Sequence, residues 1–188
     1  EELGETKFVG YTETEAKASI VHILADGEER GRMETGETAI LLLNQTPFYA
    51  ESGGQTSDHG TIESENGAVF VVSEVKKAAG GQHLHFGTVQ SGSFSLGETV
   101  TARIDTARRK AIARAHSATH LLHKTLQDVL GAHVQQAGSL VEPDRLRFDF
   151  SHFEAMKPEE IAKVEQMVNE QILEGLAVSC SEMSLEQA

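Results

Sequence analysis

Short runs of alternating or β-branched apolar residues, cut by glycine turns, fill the first hundred positions of the chain. They are Ala18–Ala25, Thr38–Leu43, Ala68–Val75, His83–Val89 and Thr99–Ile104. Asp26-Gly27, Gly53-Gly54, Asn66-Gly67 and Gly80-Gly81 lie around them as turn signals. Five or more short strands with frequent turns predict a small barrel or sandwich. At Asp105 the period changes. Asp105 can cap a helix running from Thr106 to Leu130 and stopping at Gly131. Within it Ile112, Ala115, Thr119, Leu122, Leu126 and Val129 recur at helical spacing and form a stripe that packs inward. Two strands are expected next, His133–Val141 and Asp144–Ser151, the second with Leu146, Phe148 and Phe150 alternating with Arg145, Arg147 and Asp149. Pro158, with Glu159 and Glu160 beside it, opens a second helix whose apolar face is Ile161, Val164, Val168 and Ile172 and which Gly175 ends. The pattern predicts an α+β chain in two parts: a β-barrel domain over 1–104, and a helix-plus-sheet unit over 105–188, with the Gly53-Gly54 loop facing the second. Ser184 followed three positions later by Gln187 has the form of a capping box. A helix starting there would be cut short at Ala188, so truncation inside a domain is expected.

Composition changes this picture little. In 188 residues, 39% hydrophobic and 24% charged, there is room for one large or two small domains with their own cores. No apolar run approaches the roughly 20 residues that span a bilayer, and the first residues, Glu1-Glu2-Leu3-Gly4-Glu5, hold no secretory h-region. A single cysteine, Cys180, excludes an internal disulfide framework and fits a reducing, cytoplasmic compartment. It reads as a small strand residue.

Charge is more informative. The net value of −13 argues against indiscriminate nucleic-acid binding. Its distribution is uneven: residues 1–105 hold 7 Lys/Arg against 17 Asp/Glu, whereas 106–188 hold 9 against 12. Arg103, Arg108, Arg109, Lys110 and Arg114 crowd the junction. They form either a solvated helix face or a phosphate contact at the mouth of a site.

Three segments carry candidate chemistry. His116 and His120 are four residues apart on the long helix, one above the other, where both imidazoles can reach one ion. A bland alternative is a pair of helix histidines satisfied by hydrogen bonds. Ser117 stands where a metalloprotease places its general-base Glu, which argues against zinc peptidase chemistry. The second segment, Pro47 to Gln55 with its Glu-Ser-Gly-Gly core, suits a tight barrel turn or the close approach of a ligand. It lacks the Lys-Ser/Thr pair of a P-loop. The third places Gln135 and Gln136 on an expected strand, where an amide could hold a water or a substrate amine.

Together these segments are far more specific than any one. Thr46-Pro-Phe-Tyr-Ala-Glu-Ser-Gly-Gly-Gln55, then His-Ser-Ala-Thr-His-Leu-Leu-His over 116–123, then Val134-Gln-Gln-Ala-Gly-Ser-Leu140 and Leu146-Arg-Phe-Asp-Phe-Ser-His152 closely resemble the editing region of alanyl-tRNA synthetases. The resemblance covers nearly the whole chain, in order. It implies a glycine-motif β-barrel followed by an α/β editing domain of the threonyl/alanyl-tRNA synthetase type, truncated at its C-terminus. It further implies hydrolysis of serine or glycine wrongly esterified to alanine tRNA. Zinc in that family is held by two His matching His116 and His120, plus Cys and His of a later C-x-x-x-H whose expected place lies beyond Ala188. Cys180 does not match it, and His123 matches no ligand. Thr119 matches the threonine that recognises the serine hydroxyl, and Gln136 a glutamine of the same pocket; these two are the residues assigned to catalysis and substrate binding. ATP and magnesium would belong only to a synthetase core absent from this chain. A free-standing editing hydrolase of the same superfamily and a non-catalytic tRNA-positioning module are the competing readings. A reading frame with an upstream synthetase core separates the first two, and metal content the third.

Overall fold

The computed structural model describes residues 4–179 and 183–184. Its elements run β1 (Lys7–Phe8), β2 (Glu15–Ala25), β3 (Glu28–Glu29), β4 (Arg32–Glu34), β5 (Thr38–Leu43), β6 (Gln45–Thr46), β7 (Gly60–Ser64), β8 (Val69–Lys77), β9 (His83–Ser91), β10 (Ser93–Ser95), β11 (Thr99–Ile104), α1 (Thr106–Leu130), β12 (Gln136–Val141), β13 (Leu146–Phe150) and α2 (Pro158–Glu174). The expectations placed on Cys180 and on the Ser184–Gln187 capping box involve Cys180 and Gln187, which lie outside the described residues.

Packing divides the chain into two compact units, the first reaching to His116 and including Ser139–Arg147, the second holding Ser117–Gly138 and the chain from Phe148 onward. In the first unit β11, β7, β8, β9, β5 and β2 are hydrogen-bonded neighbours in that order, every pairing antiparallel, and β11 pairs again with β2. Among the described residues this closes a six-stranded barrel. Alternation along each strand fills its interior, as in β11, where Val100, Ala102 and Ile104 are buried between more exposed neighbours. Ile20, Ile23, Leu41, Leu43, Ile62, Phe70, Val72 and Phe94 join them in one apolar cluster with Phe48. Register shifts in β2 between Ile20 and His22, and in β8 between Val72 and Glu74, bend those strands.

The wall includes a histidine pointing inward. His85 is fully buried, its Nδ1–H donating to the Leu41 carbonyl at 2.9 Å and its Nε2 accepting from the Thr46 hydroxyl at 2.8 Å. The Thr46 oxygen in turn accepts the Phe48 N–H at 3.2 Å. Burial drives the His85 pKa down to about 4, so the ring is neutral and serves as a polar strut of the core.

The second unit has a smaller core: Leu126, Val134 and Val164, against which Leu122, Val129, Leu130, Phe148, Phe150, Met156 and Val168 pack. β12 and β13, of which Ser139–Val141 and Leu146–Arg147 belong to the first unit, form a two-stranded sheet. α2 begins at Pro158 after Lys157, whose N–H is held by the Glu160 carboxylate at 2.8 Å, and ends on Gly175 in the left-handed region. Of its expected apolar face Val164 is buried and Val168 partly so, while Ile161 and Ile172 are exposed. Among the described residues, no helix is long and apolar enough to cross a membrane.

Candidate functional site

The helix α1 carries three of the four expected site residues, and its start is fixed by the barrel it grows from. Asp105 caps it, accepting the Arg108 N–H at 2.9 Å, while the Asp105 N–H donates to the His59 carbonyl at 2.7 Å. One turn on, Arg109 reaches back into the barrel unit. Its Nε donates to the Asp58 carboxylate at 2.9 Å and its Nη2 completes a bidentate pair with the same group. The guanidinium also donates to the Gly10 carbonyl at 2.7 Å and the Pro47 carbonyl at 3.1 Å. Arg103 pairs with Glu15 and Glu63 on the barrel surface. Two arginines of the junction cluster are therefore committed to architecture.

The Glu51-Ser-Gly-Gly-Gln55 segment is a turn held on both sides. Ser52 and Gln55 exchange backbone hydrogen bonds at 3.0 and 3.2 Å. Along its outer side the Val141 N–H donates to the Gly54 carbonyl at 2.8 Å and the Thr56 N–H to the Val141 carbonyl at 3.1 Å, so the turn adds itself to the end of β12. Gly54 has φ of +81°, and a Cβ there would come within 2.5 Å of the Ser139 carbonyl oxygen. A side chain fits neither the dihedral nor the space. Gly54→Ala is expected to cost about 1–3 kcal/mol, read as a lowered midpoint in chemical denaturation.

At the end of this turn Gln55 is buried, and its Oε1 accepts a hydrogen bond from His116 Nδ1 at 2.7 Å. A carbonyl oxygen only accepts, so Nδ1 carries the hydrogen. In the neutral ring Nε2 then holds the lone pair, and it is the nitrogen able to act as a ligand. His116 itself is half-buried. In the second unit Thr119 is buried at 7% exposure, His120 is exposed, and Gln136 is the exposed first residue of β12. Gln135 is used locally, its amide donating to the Ala132 carbonyl at 3.3 Å and its N–H to the Ser151 hydroxyl at 3.2 Å. His123 tilts against Phe148 with ring centroids 5.0 Å apart.

Neutral imidazole is a good zinc ligand, and His116 and His120 each offer one such donor against the four ligands of a closed zinc site. No group of three or more His, Cys, Asp or Glu side chains arranged to hold a metal ion occurs among the described residues.

Sequence reasoning missed Gln55 as a partner of His116, and Asp58 as the counter-charge of Arg109. The only trace of either in the sequence is their place in one dense glycine-motif segment, since each pairs with a residue more than fifty positions away.

The chain thus joins a closed antiparallel barrel to a long helix that bears H-x-x-x-H. The profile of the family described as tRNA synthetases class II (A) matches residues 1–108, and the chain belongs to that family. It is 53% identical over 98% of its length to the alanine–tRNA ligase of Acetivibrio thermocellus, and 51% identical over 98% to that of Geobacillus kaustophilus. To the alanine–tRNA ligase of Staphylococcus aureus it is 50% identical over 96%. The chain spans about a fifth of the length of these curated relatives, 21%, 21% and 20% respectively.

Proposed function

We propose that this chain is the editing region of an alanyl-tRNA synthetase, a cytoplasmic enzyme that attaches alanine to tRNA(Ala) using ATP. The region hydrolyses serine or glycine esterified to that tRNA by mistake. The observation that carries the reading is His116 held by Gln55 through Nδ1, which leaves Nε2 as the nitrogen that would bind a metal, on a chain about half identical along nearly its whole length to alanine–tRNA ligases. His116 and His120 would hold zinc with two further ligands from a C-x-x-x-H. The chemistry supplied by bound zinc is Lewis-acid polarisation of the ester or of the attacking water. Such an inventory needs no Ser or Cys nucleophile. Thr119 would read the substrate, its hydroxyl bonding the serine hydroxyl that alanine lacks, and Gln136 would orient the aminoacyl group through its amide. An editing step is needed because a pocket built for a small side chain discriminates poorly against near-isosteres.

The test compares this chain with one extended through a C-x-x-x-H, by elemental analysis of zinc and by hydrolysis of seryl-tRNA(Ala). The expected result is weak zinc binding and poor hydrolysis by the 188-residue chain, with both properties gained on extension. An extended chain that binds zinc but leaves seryl-tRNA(Ala) intact would overturn the proposal. Within the extended chain, Thr119→Val is expected to slow seryl ester hydrolysis about tenfold or more, the cost of one unmade hydrogen bond. Glycyl ester hydrolysis should change by less than about twofold. Equal loss on both substrates would show that the hydroxyl does not read serine.

A further inference from the structure

We infer that Gln55 is a positioning residue for His116: it fixes which imidazole nitrogen is offered to a metal ion. The inference rests on the reading of His116 as a metal ligand. Three features of the first unit carry it.

The contact is short and one-directional, His116 Nδ1–H to Gln55 Oε1 at 2.7 Å. Gln55 is at the same time a buried polar residue, at 8% exposure. A buried amide carbonyl must be satisfied, and here the imidazole N–H does so. Finally, the backbone of Gln55 cannot drift. Its N–H and carbonyl are both bonded to Ser52, and its neighbours Gly54 and Thr56 are both bonded to Val141. The close approach of Gly54 to Ser139 fixes the turn on the side where a Cβ would collide.

A ring hydrogen-bonded in this way loses both its tautomeric freedom and much of its rotation about χ2. A carbonyl acceptor also raises the basicity of the opposite nitrogen by drawing the Nδ1 proton toward itself. The glycine-motif turn thus acquires a role beyond shaping the barrel: it carries the outer-shell acceptor of a histidine 61 residues further on. Partners of this kind typically contribute 10–100-fold in metal affinity.

The test has two arms. In the first, long-range proton–nitrogen NMR on the metal-free 188-residue chain reports the tautomer of each histidine. His116 should carry its hydrogen on Nδ1. Gln55→Met, which keeps the length of the side chain and removes the acceptor, should move the hydrogen toward Nε2. Gln55→Glu, which keeps an acceptor, should leave it on Nδ1. In the second arm, zinc affinity of the chain extended through the C-x-x-x-H is measured by competition with a chromophoric chelator. Gln55→Met should weaken it by about 10–100-fold, and Gln55→Glu should restore it. Amide shifts of Ser52, Thr56 and Val141 that stay in place in both variants show that the turn survives, so a structural role alone would move neither readout.

Finding His116 in the Nε2–H tautomer in the parent chain would overturn the inference, as would a Gln55→Met chain with unchanged tautomer and affinity. An extended chain carrying His116→Ala that binds zinc as well as the extended parent would instead overturn the metal-ligand reading. The first arm, run without metal, judges the Gln55–His116 contact separately.

Discussion

Asp58→Ala is expected to lower the stability of the barrel unit by about 3–5 kcal/mol, the range for removing one partner of a buried ion pair. Asp58 is 1% exposed and its carboxylate accepts from Arg109 twice over and from the Tyr49 N–H at 2.8 Å. Its own N–H donates to the Tyr49 carbonyl at 3.1 Å. Alanine would leave a guanidinium without its counter-charge and a backbone donor without its acceptor. The guanidinium also ties the Gly10 and Pro47 carbonyls to the first turns of α1, so its loss of position would be felt at both segments. Chemical denaturation of the parent, Asp58→Ala, Arg109→Met and the double variant would measure this. The double variant should recover part of the loss, because no charge is then left uncompensated. A single-variant loss below about 1 kcal/mol, the value of an exposed pair, would refute the assignment.

The second large effect is one of pH. His85 has a native pKa near 4 because it is fully buried, and an unfolded value near the ordinary 6.5. Above pH 6.5 both states are neutral at this ring and its contribution to stability is complete. As pH falls from 6.5 to 4 the unfolded chain takes up a proton that the native ring refuses. Stability therefore declines through that window by about 3 kcal/mol. His83 and His59 are displaced in the same direction by burial and by nearby Lys77 and Arg108, and add to the slope. Denaturation curves between pH 7 and pH 4 for the parent and for His85→Gln isolate the His85 share. The variant should lack it, and parallel profiles would show that His85 does not titrate as its burial requires.

The sequence discloses structure wherever one physical signal dominates. The strands with alternating or β-branched residues between Asp-Gly, Asn-Gly or Gly-Gly turns emerge where the pattern puts them, and α1 and α2 end on the glycines expected. β7 escapes notice because Gly60-Thr-Ile-Glu-Ser64 offers one large apolar residue, Ile62, and opens on a glycine. That glycine is there because a Cβ would come within 2.1 Å of the Arg103 carbonyl on β11. β12 starts at Gln136 and not at His133, since Gly131 to Gln135 are occupied in turning away from α1. The face of β9 is also hidden: His83 and His85 point inward while Leu84 and Phe86 are only half-buried, the reverse of what hydrophobicity alone favours. There the register follows from pairing with β5 and β8, which no local pattern encodes. The same holds at the candidate site. His116, His120, Thr119 and Gln136 are visible as residue types in a recognisable order, but the contact between Gln55 and His116 exists only once the barrel is closed.

That closure has a kinetic meaning. β11 seals the barrel by pairing with β2, Val100 against Ala18 and Arg103 against Glu15, contacts that bridge more than eighty residues. Loop entropy must be spent on that pairing before its hydrogen bonds are gained, so barrel closure belongs to the slow, high-contact-order end of folding, on the order of milliseconds to seconds. The Ile104 N–H bonds to the Thr14 carbonyl and Asp105 to His59, leading directly into α1. The first turns of the helix therefore take their direction from a closed barrel. While the chain is still folding, His116 is a histidine on a nascent helix with no partner chosen for it. Its bond to Gln55 depends on that long-range pairing.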